Sequence, residues 1–145
     1  MEFMHNGQIG GFDSARKTAD MLIPDQLYLH RWGATDSEAF FLVVLGDGLD
    51  GDPIGAVTRT IQIIEALDTK SPKFSMTAAL SDAKRLFAVR YAPDGRARSL
   101  YYRWSAQQGG RSMVSEPFGA AGSVGKRCST LFFHFDGQDV DMTPL

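Results

Sequence analysis

Two short segments near the start of the sequence contain residue types that could act on a substrate. The first is the run from Phe3 to Ile9, which contains His5-Asn6-Gly7. An asparagine side-chain amide and a neighbouring glycine N–H can both donate to one oxygen, as in an oxyanion hole. Asn-Gly is also a favoured pair for a tight turn, because both residues tolerate positive φ. On these residues alone, both interpretations stay open.

The second segment runs from Gly33 to Glu38 and combines a helix start with a free carboxylate. Thr35 followed three residues later by Glu38 is the pattern of a capping box, which needs no function. Asp36 lies between them, and its carboxylate could hold the α-ammonium group of an amino acid. The two interpretations do not compete, since Thr35 and Glu38 would cap while Asp36 binds.

Composition narrows the class of protein. The 145 residues fit one domain, predicted to span residues 1–145. The formal charge of −2 and the lack of a basic stripe argue against nucleic-acid binding. Cys128 is the single cysteine, which excludes an intramolecular disulfide and a Cys-rich zinc site. His5, His30 and His134 lack the helical spacing of a zinc site, so neither a metal nor a cofactor is predicted.

Membrane and secretion signals are weak in this sequence. The longest strongly apolar run, Ala39 to Leu45, is far shorter than the roughly 18–20 residues that span a bilayer. The first residues do not show a basic region followed by an apolar stretch, as a secretory signal would. Gly122 to Lys126 lacks the spacing of a nucleotide-binding loop. We therefore predict a cytoplasmic protein that does not bind a membrane.

The first half of the sequence has the periodicity of helices. Asp13 is predicted to cap a helix that ends near Leu22, and Thr35 to start a second. Asp52 is predicted to cap a third helix, with Pro53 at its first position. The apolar residues of this third helix recur at spacings of three and four: Ile54, Val57, Ile61, Ile64 and Leu67.

The second half has the pattern of strands separated by turns. Strands are predicted over Phe74–Leu80, Arg85–Tyr91, Ser99–Trp104, Met113–Ser115, Thr130–Phe135 and Asp139–Thr143. Helices followed by an antiparallel meander indicate an α+β fold.

Taken in order, these segments resemble a known family. The run from Phe3 to Ile9, a helix, and then Gly33 to Glu38 closely resemble the stand-alone class II glutamine amidotransferases. That group includes the γ-glutamyl hydrolase-like members of the ergothioneine pathway. Val114-Ser115-Glu116-Pro117 also resembles one of the family's strands. The resemblance implies an Ntn-hydrolase-like αββα sandwich and a glutaminase whose N-terminal cysteine attacks a γ-amide, with its own α-amine as the base.

The resemblance also implies roles for individual residues. Asn6 and Gly7 match the oxyanion hole, and Asp36 matches the carboxylate that binds the substrate's α-ammonium group. His5, in the same motif as Asn6, is assigned to substrate binding. The substrate would be glutamine or another γ-glutamyl compound, and no cofactor is implied.

The sequence departs from the family at its start. Position 2 is Glu2 rather than cysteine, and Cys128, late in the chain, has no free α-amine of its own. We therefore expect the carboxy-terminal part of a truncated domain that lacks its N-terminal strands, has no nucleophile and is inactive. Open sheet edges are expected to favour self-association. The alternative is an inactive remnant that binds an amino acid or pairs with a full-length relative.

Overall fold

The computed structural model of the chain describes residues 1–67, 74–94, 96–105, 109–115, 131–136 and 139–145. The chain divides into two compact units. The sheet unit comprises Met1–Gly7 and Ser75–Leu145, and the helical unit comprises Gln8–Phe74. This division follows the sequence pattern, in which helical periodicity in the first half gives way to strands in the second.

The described helices all lie in the helical unit. They are α1 (Phe12–Asp20), α2 (Asp25–Tyr28), α3 (Asp36–Gly46) and α4 (Pro53–Leu67). Helices α1, α3 and α4 pack against one another and supply the apolar core of this unit. Their buried apolar residues are Phe12, Ala19, Ala39, Phe40, Leu42, Val43, Val44, Ala56, Val57, Ile61 and Ile64.

Two predicted helix starts are confirmed. The backbone N–H of Glu38 donates to Thr35 Oγ1 at 3.3 Å, and α3 begins at the next residue after Thr35. The backbone N–H of Gly55 donates to Asp52 Oδ1 at 3.0 Å, and α4 begins at Pro53. Both bonds satisfy donors that a helix start would otherwise leave without a partner.

The predicted start of the first helix is wrong. Helix α1 begins at Phe12, directly after Gly11, which has a φ of 74°. Asp13 makes no cap and instead accepts a hydrogen bond from Arg16 Nη2 at 2.7 Å. The left-handed backbone of Gly11, which glycine adopts at little cost, sets the helix start here. Helix α2 was not predicted, because a single turn is too short to show periodicity.

Seven strands are present in the described residues. They are β1 (Glu2–Ile9), β2 (Phe74–Ser81), β3 (Leu86–Tyr91), β4 (Tyr101–Ser105), β5 (Gly110–Val114), β6 (Leu131–Asp136) and β7 (Asp139–Pro144). A five-stranded sheet has the order β1-β2-β3-β6-β7, and β4 and β5 form a separate two-stranded sheet. The pairs β2–β3, β3–β6, β6–β7 and β4–β5 are antiparallel. The predicted α+β class with an antiparallel sheet is therefore confirmed.

The two sheets pack on each other within the sheet unit. Ala88 of β3 and Phe135 of β6 form a buried cluster with Leu100. Tyr102 of β4 and Met113 of β5 pack against that cluster, and the rings of Tyr102 and Phe135 meet edge to face at 5.8 Å. The two-stranded sheet thus packs on the part of the five-stranded sheet formed by β3 and β6.

Some sequence-based predictions fall on residues that the structure does not describe. Cys128, the segment Gly122–Lys126 and the segment Glu116–Phe118 lie outside the described residues. Among the residues that are described, no helix is long and apolar enough to cross a membrane.

Candidate functional site

The segment that carries His5, Asn6 and Gly7 is a strand and not a tight turn. All three lie inside β1, where exposure alternates from residue to residue. Asn6 is exposed, whereas His5 and Gly7 are partly buried on the alternate positions. The turn interpretation of Asn6-Gly7 is therefore wrong, because strand pairing along β1 overrides the local preference of the pair.

Gly7 allows β1 to approach β2 closely. A Cβ atom built at Gly7 would collide with the carbonyl oxygen of Ser75. It would also lie 2.6 Å from His5 Nε2, a distance that real Cβ atoms essentially never show, and 3.0 Å from Met76 Cα, which is tighter than most real contacts. A larger residue would push β1 away from β2, so the glycine is required by the close backbone approach.

A cavity of about 440 Å³ lies in the sheet unit beside Asn6. Met4, His5 and Asn6 of β1 line it together with Thr77 of β2, and Leu100 and Ser115 close it from the side of the two-stranded sheet. The volume falls in the range of roughly 300–1,000 Å³ found for small-molecule sites. Apolar walls with a few polar groups are typical of such sites, and Asn6 is one of the polar groups here.

One wall of the cavity is held by buried polar groups. Arg90, with only 3% of its surface exposed, donates from Nη2 to Ala97 O at 2.6 Å and from Nε to Arg98 O at 2.9 Å. Thr77, its partner across the β2–β3 pair, donates to the same Arg98 oxygen at 3.0 Å. These bonds tie the segment that leads to Leu100 onto the five-stranded sheet and so fix the wall.

Asp36 lies in the helical unit, at the first position of α3. Its Oδ2 accepts a hydrogen bond from the backbone N–H of Ile9 at 2.8 Å. Its Oδ1 accepts from the backbone N–H of Ser37 at 2.8 Å and from the Ser37 hydroxyl at 3.3 Å. An ionised carboxylate has about four acceptor positions. The group is therefore oriented by the protein and still able to accept from a cation.

The predicted capping box is only half formed. Glu38 does not return a bond to the Thr35 backbone; its carboxylate accepts from the backbone N–H groups of Trp32 and Gly33, both at 2.8 Å. It also accepts from Arg31 Nη1 at 2.6 Å. Burial raises the pKa of Glu38, but the hydrogen bonds from Trp32, Arg31 and Gly33 outweigh it and lower the pKa below its usual value.

The structure thus distributes the predicted residues over both units. His5, Asn6 and Gly7 share one strand, and His5 and Asn6 line one cavity. Asp36 is in the helical unit, joined to Ile9. Sequence reasoning missed Thr77 and Arg31, because neither stands in a recognisable motif. Within the described ranges, no three His, Cys, Asp or Glu side chains converge as they would around a metal ion.

One solved structure is closely similar to this one. It is that of a glutamine aminotransferase class-II domain protein from Silicibacter pomeroyi, with a TM-score of 0.91 and 40% sequence identity. The alignment covers 99% of this chain and 66% of that chain. The chain is related to a class-II glutamine aminotransferase domain protein. No protein-family model matches the sequence, and no curated protein matches it.

The relationship covers nearly the whole of the present chain, so it includes both units. The chain spans 66% of the length of the class-II domain protein, and the remaining third of that protein has no counterpart in the alignment. The shared fold therefore extends to the strand with Asn6 and the helix start with Asp36.

Proposed function

We propose that residues 1–145 are the carboxy-terminal part of a class II glutamine amidotransferase domain that hydrolyses the γ-amide of glutamine or of another γ-glutamyl compound. The observation that carries the proposal is the exposed Asn6 at the cavity of the sheet unit, next to Gly7 on β1. The similarity to the class-II domain protein supports it. In this proposal the cysteine nucleophile is not among these 145 residues, whose sequence starts Met1-Glu2.

The proposed chemistry assigns one role to each residue. A cysteine thiolate adds to the amide carbon, and the amide oxygen gains negative charge. Asn6 Nδ2–H and the Gly7 N–H donate to that oxygen, which lowers the barrier because the charge is stabilised as it forms. The amide nitrogen takes a proton from the nucleophile's own ammonium group and leaves as ammonia. Water then releases glutamate from the thioester.

The remaining roles concern binding of the substrate. Asp36 would accept hydrogen bonds from the substrate's α-ammonium group, a charge-assisted contact. His5 lines the cavity beside Asn6 and would contact the bound γ-glutamyl group. An Ntn-hydrolase-like αββα sandwich fits the packing of two sheets in the sheet unit. A γ-glutamyl hydrolase of the ergothioneine type, acting in the cytoplasm without a cofactor, remains our specific proposal.

Calorimetric titration with L-glutamine tests the binding half of this proposal. We expect Asp36→Asn, which keeps the shape and removes the charge, to weaken binding about tenfold or more. Asp25→Asn is a matched control, because Asp25 is also at the start of a helix and is exposed. Equal affinities of the wild type and Asp36→Asn would remove Asp36 from the substrate site.

Measurement of ammonia release tests the catalytic half. We expect none from the purified chain, because Cys128 has no α-amine to serve as its base. Ammonia release by this chain would overturn the assignment of the nucleophile. In a complete enzyme that contains both this segment and the cysteine nucleophile, Asn6→Ala should lower kcat by about 10²–10³. This is the usual effect of losing one oxyanion donor.

A second candidate function is binding without catalysis. In this alternative the chain holds an amino acid at Asn6 and Asp36, or pairs with a full-length relative, without releasing ammonia. The five-stranded sheet has β1 and β7 at its edges, where another strand could add. Sedimentation velocity tests the pairing: a concentration-independent monomer would argue against pairing or self-association through these edges.

A further inference from the structure

The side chain of Arg31 is buried although it lies in the connection between α2 and α3. Only 4% of the side chain is exposed. Its Nε donates to Asp20 Oδ1 at 3.0 Å, and its Nη1 donates to Glu38 Oε2 at 2.6 Å. Removing a charge from water is costly unless its partners compensate. Asp20, at the end of α1, and Glu38, in the first turn of α3, compensate Nε and Nη1, whereas the buried Nη2 has no hydrogen-bond partner among the described residues.

Glu38 connects this buried cation to the backbone that precedes α3. Its carboxylate receives three N–H groups, from Arg31, Trp32 and Gly33. Because Glu38 is in the first turn of α3, these bonds fold residues 31–33 back onto the start of the helix. The Thr35 cap adds a fourth bond in the same loop.

Polar bonds, and not apolar packing, hold this loop. Residues 32–35 are all exposed, and Trp32 is 87% exposed. Burial of apolar surface therefore contributes little to the position of this segment. Its fixed geometry must come from the bonds to Glu38, whose orientation in turn depends on the buried guanidinium of Arg31.

Asp36 lies inside the loop that the Glu38 carboxylate closes. Gly33 on one side and Glu38 on the other are joined directly at 2.8 Å, so the backbone of Asp36 is fixed from both directions. A small shift of this backbone would move the Asp36 carboxylate away from Ile9 and Ser37, its two hydrogen-bond partners. Arg31 and Glu38 can thus control Asp36 through the backbone.

We propose that Arg31 and Glu38 are positioning residues that hold the Asp36 carboxylate in the orientation that binds the substrate's α-ammonium group. This inference rests on the proposed function, because it takes the ammonium contact of Asp36 as given. It adds that the contact depends on a buried ion pair whose members do not themselves bind substrate.

The test compares L-glutamine with glutaramic acid, the same molecule without its α-amino group. Calorimetric titration of the purified chain with each ligand gives a ratio of affinities, which isolates the ammonium contact. We expect the wild type to prefer L-glutamine about tenfold or more. Glu38→Gln should lower that ratio severalfold and leave the affinity for glutaramic acid unchanged.

Three further variants and a control protect the test against loss of folding. Gly33→Ala keeps every charge, and its added Cβ would lie 2.9 Å from Glu38 Oε2, so it displaces the carboxylate without deleting it. It should also lower the ratio. Arg31→Lys keeps the charge but not the planar fork of donors and should lower the ratio less than Arg31→Ala. Asp52→Asn, in the exposed cluster around Arg59, is the control and should leave the ratio unchanged.

The outcomes separate this inference from the proposed function. A wild type that does not prefer L-glutamine overturns the role of Asp36, and this inference with it. A wild type that does, with Glu38→Gln and Gly33→Ala preserving the ratio, overturns the positioning role and leaves the proposed function intact. Equal losses of affinity for both ligands would also overturn it, because they show a general structural effect.

Discussion

The helical unit contains two arginines that each pair with two carboxylates, and the pairs differ mainly in burial. Arg31 lies 3.0 Å from Asp20 and 2.6 Å from Glu38, whereas Arg59 lies 2.8 Å from Asp47 and 3.1 Å from Asp52. The Arg31 side chain is 4% exposed and the Arg59 side chain 48%. The nitrogen–oxygen distances are therefore nearly equal in the two clusters, although one arginine is buried and the other is half exposed.

Both arginine clusters also stabilise the start of a helix. In the Arg59 cluster, two hydrogen bonds hold the pKa of Asp52 below its usual value. The larger effect comes from the backbone N–H of Gly55 and the smaller from the Arg59 side chain. In the Arg31 cluster, Glu38 takes backbone N–H groups from outside the helix. Water screens the Arg59 pairs, and exposed pairs contribute little. The comparison teaches that the Arg31 cluster can impose one geometry on its loop, because the guanidinium at its centre is buried and cannot turn to solvent.

The largest expected difference between the clusters is in stability. Arg31→Ala should lower the free energy of unfolding by about 3 kcal/mol, because it leaves two carboxylates without their cation in a partly buried place. Arg59→Ala should have a much smaller effect, since the Arg59 side chain is 48% exposed and water screens its pairs. Urea denaturation with unchanged m-values would measure both. Equal shifts of the two midpoints would contradict this account.

This difference could not have been predicted from the sequence. Asp20, Arg31 and Glu38 are separated by 11 and 7 residues, beyond the spacing of three or four at which side chains meet on one helix. Only the packing of α1 against α3 brings Asp20 to the same cation as Glu38. The sequence did predict the Thr35 and Asp52 caps, because a cap depends on residues within one turn.

The same reasoning explains what was found of the candidate site. Asn6, Gly7 and Asp36 could be singled out because each stands in a short motif. The cavity beside Asn6 could not be predicted, since Leu100 and Ser115 reach it only because the two sheets pack on each other. The strand around Asn6-Gly7 was also missed, because its structure depends on β2, some 70 residues further along the chain.

A smaller difference between the clusters should appear on acidification. The pKa of Glu38 is lowered on folding, so its contribution is complete above the unfolded value of about 4.3 and disappears as the pH falls through the folded pKa. The stability gap between the wild type and Glu38→Gln should be constant from about pH 6 to 7 and close below about pH 4.

Asp52→Asn is the matched variant for this pH series. The pKa of Asp52 is also lowered, from a lower ordinary value of about 3.9, so its gap should begin to close at a lower pH than that of Glu38→Gln. Urea midpoints at several pH values would measure both gaps. A Glu38→Gln gap that widens on acidification would have the wrong sign for this account.

The effect of salt on the coupling energy of the ion pairs should differ between the clusters by a still smaller amount. The Debye length falls to about 3 Å at 1 M salt, so exposed pairs are screened and buried pairs much less. A double-mutant cycle on Arg31 and Glu38 should give nearly the same coupling at 0.1 M and 1 M NaCl. The cycle on Arg59 and Asp47 should lose most of its coupling. Loss of coupling in both cycles would show that water reaches Arg31.

The smallest expected effects come from the glycine beside each cluster. In Gly55→Ala, the new Cβ would collide with the Asp52 carboxylate, yet Asp52 is 60% exposed and can rotate into water. Alanine is also favoured over glycine inside a helix by roughly 1 kcal/mol, which offsets the weakened cap. In Gly33→Ala, the displaced group is the Glu38 carboxylate, which two backbone N–H groups and a buried guanidinium hold in place. Thermal unfolding should therefore change little in Gly55→Ala and fall slightly in Gly33→Ala. The reverse order would mean that the exposed carboxylate is the more tightly held, because only a group that cannot turn away makes an added methyl costly.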